Sequence, residues 1–176
     1  MMSERRPGGL TIRPIEPADY APICDMVMIL FGAFVAPRVT PDGRAAFVAQ
    51  TQPAKLAERI ADGHRYAVAL LGKRQVGVVG IGRNHHLYWL WVDAAYHRLG
   101  IAARLLQYAL EMLQKADPSA QRMTVNASDY AVPIYRRMGF VTTGAEQLRA
   151  GVPVTPMKLD LPPRQASCPA PGAILS

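Results

Sequence analysis

"WVDAAYHRLGIAARLL", residues 91–106, runs from the end of an apolar segment through a short turn into a helix, and the architecture of the chain hangs on that junction. Trp91 and Val92 close "LYWLWVD", whose aromatic and branched residues favour a strand. From Leu99 to Lys115, Ile101, Leu105, Tyr108, Ala109, Met112 and Leu113 recur at helical spacing, so the strand hands over to a long amphipathic helix. The first turn of such a helix leaves backbone N–H donors unpaired and carries the positive end of the helix dipole. Gly100 and Ala102, with Ala103 beside them, leave room for an anion to reach those donors, which suits a pyrophosphate. The same residues also serve an ordinary strand-to-helix connection with a packing glycine, so the junction alone leaves both readings open.

Upstream, "GGLTIRPIEPADYAPICDMVMILFG" opens with a strand, Leu10 to Pro14, after which Asp19 is placed to cap an apolar-periodic helix ending near Gly32. A loop with Pro37 and Pro41 leads to a second helical stretch, from about Asp42 to Ile60, with a kink or break expected at Pro53. A hairpin follows: strand Tyr66 to Leu71, a tight turn at Gly72 and Lys73, and strand Val76 to Gly82. The second arm, "VGVVGIG", has glycines like a dinucleotide fingerprint, yet no helix follows them, and a twisted or bulged strand is the better reading. Downstream, "RMTVNAS" reads as a strand, "AVPIYRRM" as a short helix stopped by Gly139, and "FVTTGAEQLRAGVPVTPMKLDL" as two strands around a long turn. No internal repeat is visible.

Composition sets the outer bounds. With 176 residues, 50% of them hydrophobic and 19% charged, the chain suits one domain, residues 10–161. A short segment, 1–9, expected to be flexible, precedes it, and a Pro- and Ala-rich tail, 162–176, expected to be mobile, follows. No run of about 18 uncharged apolar residues occurs and "MMSERRPGG" is not followed by a signal-peptide core, so a cytoplasmic protein without a membrane partner is expected. Cys24 and Cys168 are too few for a disulfide framework or a zinc site, and no metal is expected. The net charge of +7 comes mostly from arginine. Outside the pairs Arg5–Arg6, Lys73–Arg74 and Arg136–Arg137 these residues are scattered, which fits a solvated basic surface better than a nucleic-acid site.

The order of strand, two helices, antiparallel strands, "HRLGIA" opening a long helix, then strand, "AVPIYRRMGF" and two strands resembles the GNAT superfamily of acyl-CoA-dependent N-acetyltransferases, over roughly Leu10 to Leu161. The resemblance implies an α+β fold: a central mixed, mostly antiparallel twisted sheet of about six to seven strands flanked by about four helices. The family's pyrophosphate loop, Gln or Arg, two residues, Gly, one residue, then Gly or Ala, falls on His97, Arg98, Leu99, Gly100, Ile101 and Ala102. His97 departs from that pattern at its first position but still offers a donor. A second signature, Ala, then Tyr four residues later, then Gly-Phe, matches Ala131, Tyr135, Gly139 and Phe140. Where many members carry an Asn seven residues before the Tyr, this chain has Ser128, with Asn126 two positions earlier, and both are candidates for supporting the pantetheine arm.

The resemblance implies acetyl-CoA as co-substrate, direct attack by an amine, and a role for Tyr135 in protonating the departing thiolate. A phenol, with an ordinary pKa of about 10, is protonated at neutral pH and can give up its proton as charge builds on sulfur. "LYWLWVD" should splay from "MTVNAS" so that pantetheine slots between them, paired with the backbone of Leu90, Trp91 and Val92. For the amine's proton the chain offers His85, His86 and Asp93, or a water chain. Strict alternation puts His86 on one face with Tyr88, Leu90 and Val92, and His85 with Trp89 and Trp91, which makes His86 the preferred base. A strand-edge histidine bonded to backbone is the competing reading.

Acceptor pockets in this fold are built by the first two helices, their loop and the last hairpin. Phe31, Phe34 and Phe47 with Arg38 and Arg44 suggest an apolar wall with an anion-binding rim, or simply core packing. A small-molecule primary amine, amino-acid-like, is the expected acceptor; a protein N-terminus or lysine, or a non-catalytic acyl-CoA sensor, is the alternative. Dimerisation is common for this fold, so a homodimer is compatible with the resemblance.

Overall fold

The structure is a computed structural model and describes residues 9–162; the expected flexible start (1–8) and mobile tail (163–176, with Cys168) lie outside the described residues. Its centre is one eight-stranded sheet. β1 (Leu10–Pro14), β2 (Arg65–Leu71), β3 (Arg74–Ile81) and β4 (His86–Val92) form an antiparallel meander. β5 (Arg122–Ala127) lies parallel to β4, and β8 (Val152–Asp160) pairs antiparallel with β5 and with the short strands β6 (Val141–Thr142) and β7 (Gln147–Arg149). The strand count exceeds the expected six to seven because the C-terminal segment breaks into three: Ala150 and Gly151 both take positive φ and fold β7 back onto β8.

Helices cover both faces. α4 (Ile101–Ala116) and α5 (Val132–Arg137) pack on one, and α1 (Tyr20–Phe34) and α3 (Pro53–Ala61) on the other, with α2 (Pro41–Gln50) between. Five helices form rather than about four, because the second helical stretch breaks ahead of Pro53, whose ring cannot continue α2. α4 buries Ile101, Leu105, Leu106, Ala109 and Leu113, worth about 2 kcal/mol for each larger side chain. The small residues facing it explain the close approach: a Cβ on Gly77 would lie 2.9 Å from Leu105 Cδ1. On the other face a Cβ on Gly80 would run into the Tyr66 ring. The glycines of "VGVVGIG" are thus packing residues in a bulged strand: Ala69 pairs with Gly77 but Leu70 with Gln75, which leaves Val76 as the extra residue of β3.

Two local expectations are corrected. α1 runs on to Phe34 rather than ending near Gly32, since Gly32 is compatible with helix and its exposed face meets no obstacle. Asp19 precedes α1 but its side chain does not cap it. The carboxylate is buried and faces back toward β1 and β3, taking both Arg13 guanidinium nitrogens (2.7 and 3.1 Å), the Gln75 amide (2.9 Å) and the backbone N–H of Glu16 (2.9 Å). Burial alone would raise its pKa; these donors and the Arg13 charge outweigh that and hold it below the ordinary value. The segment Pro17–Phe34 reaches a mean hydropathy of 1.2 over 18 residues, the length and composition of a membrane span. Its apolar face, however, is spent on the sheet, with Ile23, Cys24 and Val27 buried against β2 and β3.

Candidate active site

β4 and β5 pair only at His86–Thr124 and Leu87–Val125, although β4 continues to Val92. Beyond that junction the strands part, leaving one edge of β4 without a neighbour, and the wedge opens into a cavity of about 900 Å³. The cause is local. Opposite β3, Leu87 pairs with Ile81 but Trp89 with Gly80, so Tyr88 is an extra residue that bulges and bends β4 away from β5.

The bulge corrects the expected facing of His86. It places Leu87 and Leu90 in the core beneath α4, and sends Trp89 and Trp91 to the α1 side. His86, preceding Leu87, therefore shares its face with Trp89 and Trp91, together with Thr124 and Asn126 of β5, rather than with Leu90 and Val92. Its Nδ1 lies 2.8 Å from Thr124 Oγ1 and its Nε2 3.5 Å from Asn126 Nδ2, with the Tyr88 ring edge-on at 4.8 Å between centroids. Burial, and then the positive charge of Arg149, lower its pKa, so the ring is neutral at pH 7. The other two candidate bases are engaged elsewhere. His85 sits in the preceding turn with φ of 60° and its Nε2 meets Asp117 at 3.0 Å; Asp93 accepts from Arg74 and from the N–H of Ala95, each at 3.0 Å.

The expected site residues converge on the cavity with one exception. β4 contributes His86, Leu90, Trp91 and Val92. The turn and α4 contribute His97, Arg98, Gly100, Ile101, Ala102 and Ala103; β5 adds Asn126, and the chain beyond it Ser128 and Tyr135. Leu99 is the exception: its side chain packs against the main core. His97 also behaves differently from expectation, since its Nε2 lies 2.8 Å from the carbonyl of Val92 and braces the turn against the end of β4. Gly100 takes φ of 76°, the left-handed conformation that a residue with a Cβ resists, and a Cβ there would point into open space. The amides of Ile101, Ala102 and Ala103 have no intrahelical acceptor and open toward that space. A free strand edge, a helix N-terminus beside a glycine and a cavity of this size fit a molecule with a pyrophosphate at one end and an extended arm at the other.

Tyr135 stands on α5, whose start is closed by the Ser128 carbonyl accepting from the N–H groups of Ala131 and Val132. Gly139, φ 94°, ends the helix and turns Phe140 back against the Tyr135 ring, 5.1 Å between centroids. The tyrosine is buried yet borders the cavity, and desolvation raises its pKa, so the hydroxyl is protonated at any ordinary pH.

Phe31, Phe34 and Phe47 line the far wall, Phe31 and Phe47 stacked in parallel at 3.8 Å and Phe34, at the end of α1, stacked at 4.6 Å on Tyr130 of the β5–α5 loop. Tyr130, and Arg149, Val152 and Val154 from the last hairpin, are lining residues that no sequence motif flagged. The expected anion-binding rim is overturned: Arg38 is held by both Glu146 oxygens (2.9 Å) and by Asp129 (3.0 Å), and Arg44 donates to the Val39 carbonyl (3.1 Å).

The comparisons agree with this geometry. Residues 35–161 match the model of the acetyltransferase (GNAT) domain. YafP, an uncharacterized N-acetyltransferase of Escherichia coli (strain K12), is 26% identical over 139 residues, 79% of this chain and 86% of its own. The crystal structure of a GCN5-related N-acetyltransferase from Rhodopseudomonas palustris superimposes with a TM-score of 0.75 at 22% identity, over 92% of this chain and 99% of that one. The PaiA N-acetyltransferase of Thermoplasma acidophilum, crystallised with coenzyme A, gives 0.72 at 13% identity over 86% and 99%. With its wedge between β4 and β5 and a family match that covers most of its length, the chain belongs to the GNAT acetyltransferase family.

Proposed function

We propose that the protein is a cytoplasmic N-acetyltransferase that moves an acetyl group from acetyl-CoA to the primary amine of a small molecule. The observation that carries this reading is that the buried Tyr135 and the neutral His86 border one cavity, which the N-terminus of α4 also borders.

Bound acetyl-CoA supplies the thioester, whose carbonyl carbon forms a C–N bond with the amine as its C–S bond breaks. The amides of Ile101, Ala102 and Ala103, with Arg98 beside them, would hold the pyrophosphate. The free edge of β4 from Leu90 to Val92 would pair with the pantetheine amides, with Asn126 and Ser128 on the opposite lip. Proximity within the cavity supplies much of the rate. The Tyr135 hydroxyl gives its proton to the leaving sulfur, and the His86 ring, directly or through water, takes the proton that the nitrogen sheds. Solvent then restores both side chains, leaving an N-acetyl amine and free CoA thiol.

Isothermal titration with acetyl-CoA and CoA, followed by thiol release against pooled amines, tests the proposal. Micromolar binding with release in one pool is the expected result. Binding without release across a broad panel would leave an acyl-CoA sensor, and no binding would remove the loop assignment.

A further inference from the structure

We infer that the acceptor is an amino carboxylate with an apolar or aromatic side chain, and that Arg149 is the residue that selects it; this rests on the acetyltransferase reading above.

The charge distribution around the cavity is one-sided. Among the described residues that line it there are three arginines, Arg98, Arg137 and Arg149, and no Asp or Glu. Arg98 lies in the turn before α4 and Arg137 follows Tyr135 on α5, whereas Arg149 comes from the last hairpin. In the β7–β8 register Arg149 is opposite Val152, and both border the cavity; Arg149 is solvent-exposed, so it stands at the cavity mouth, near enough for its charge to act on His86. His86 borders the same space. Asp129 and Asp93, each next to a lining residue, are paired away from it, Asp129 with Arg38 at 3.0 Å and Asp93 with Arg74 at 3.0 Å, and Glu146 also holds Arg38 at 2.9 Å.

That balance has a chemical consequence. A polycationic amine would have to pass the positive charge of Arg149 to enter an apolar space and would meet no carboxylate among the described lining residues. A carboxylate meets a guanidinium whose planar fork matches its two oxygens. The rest of the wall is apolar: Phe31 and Phe47 stacked at 3.8 Å, Trp91 edge-on to Phe47 at 6.2 Å, and Leu30 beside them. An amine whose carboxylate is anchored at Arg149 would turn its nitrogen toward His86 and its side chain toward those rings. A peptide N-terminus, whose α-carboxyl is already an amide, would lose that anchor.

The test compares thiol release with phenylalanine and leucine, each against its own amide, and with spermidine, at saturating acetyl-CoA. A charge-assisted hydrogen bond of about 1.5–3 kcal/mol predicts that the free acids exceed their amides by about 10- to 100-fold in kcat/KM, mostly in KM. Arg149→Gln should raise KM for the acids by about that factor and move the amides far less, with acetyl-CoA affinity retained, and Arg149→Lys should restore part of the preference. Amides or spermidine used as well as the acids, or a preference untouched by Arg149→Gln, would overturn the inference and leave the acetyltransferase reading standing. If nothing in the panel turns over although acetyl-CoA binds, titration of N-acetylphenylalanine into the CoA complex decides: no binding sinks the inference. Failure to bind acetyl-CoA at all would sink the reading beneath it as well.

Discussion

His86 Nδ1 lies 2.8 Å from the hydroxyl of Thr124, across the short stretch where β4 and β5 still pair. The contact locks the imidazole at the apex of the wedge. Asn126 Nδ2 can only donate, so its approach to Nε2 at 3.5 Å favours a lone pair there and the hydrogen on Nδ1, which the Thr124 oxygen accepts. A neutral ring held in that tautomer keeps Nε2 as its acceptor nitrogen, with only the long contact from Asn126 on it.

Replacing His86 with Ala should lower the rate most near pH 7 and least at high pH, where hydroxide substitutes for the base. Because burial and Arg149 lower its pKa below the ordinary 6.5, the wild-type rate should hold through neutrality and fall only at more acid pH. A pH–rate profile of both proteins checks this; an equal loss at every pH would mark the histidine as structural.

Tyr135→Phe removes one oxygen from a packed ring and leaves the contact with Phe140 in place. Turnover should drop by about 100-fold or more while acetyl-CoA affinity and the melting temperature change little. Steady-state kinetics with calorimetric titration separates these effects, and unchanged kcat would remove Tyr135 as the acid.

Gly100→Val places a branched side chain at φ of 76° and sets its Cβ in the open space before α4. The strain costs about 1–3 kcal/mol and crowds the free amides. Acetyl-CoA affinity should weaken by at least about 10-fold, read by titration, with the far-ultraviolet spectrum retained.

Asp19→Ala leaves the Arg13 and Gln75 donors without their acceptor beneath α1. Because Arg13 is partly exposed and can turn to water, losing the shared acceptor costs about 1–3 kcal/mol at pH 7. Since the folded pKa of Asp19 lies below its unfolded value, the wild-type advantage is full above pH 4 or so, as an order of magnitude, and fades as pH falls through the folded value. Denaturant melts at pH 7 and pH 3 should show the gap between the two proteins narrowing at acid pH.

The course of the chain was legible because its signals are local. Helical spacing from Ile101 to Leu113, the break at Pro53, the turn at Gly72 and the Gly139–Phe140 stop depend on residues a few positions apart, and so did the resemblance that named the loop and Tyr135. What tertiary structure decided depends on partners far away in the chain. One extra residue at Tyr88, defined only by the β3 register, moved His86 to the other face of β4. Arg38 looked free for an anion until Glu146, 108 positions on, took its guanidinium, and Arg149 acquired a cavity to face only once β7 folded back on β8. Periodicity is a property of neighbours along the chain, whereas register and charge pairing are settled by which segments meet in space.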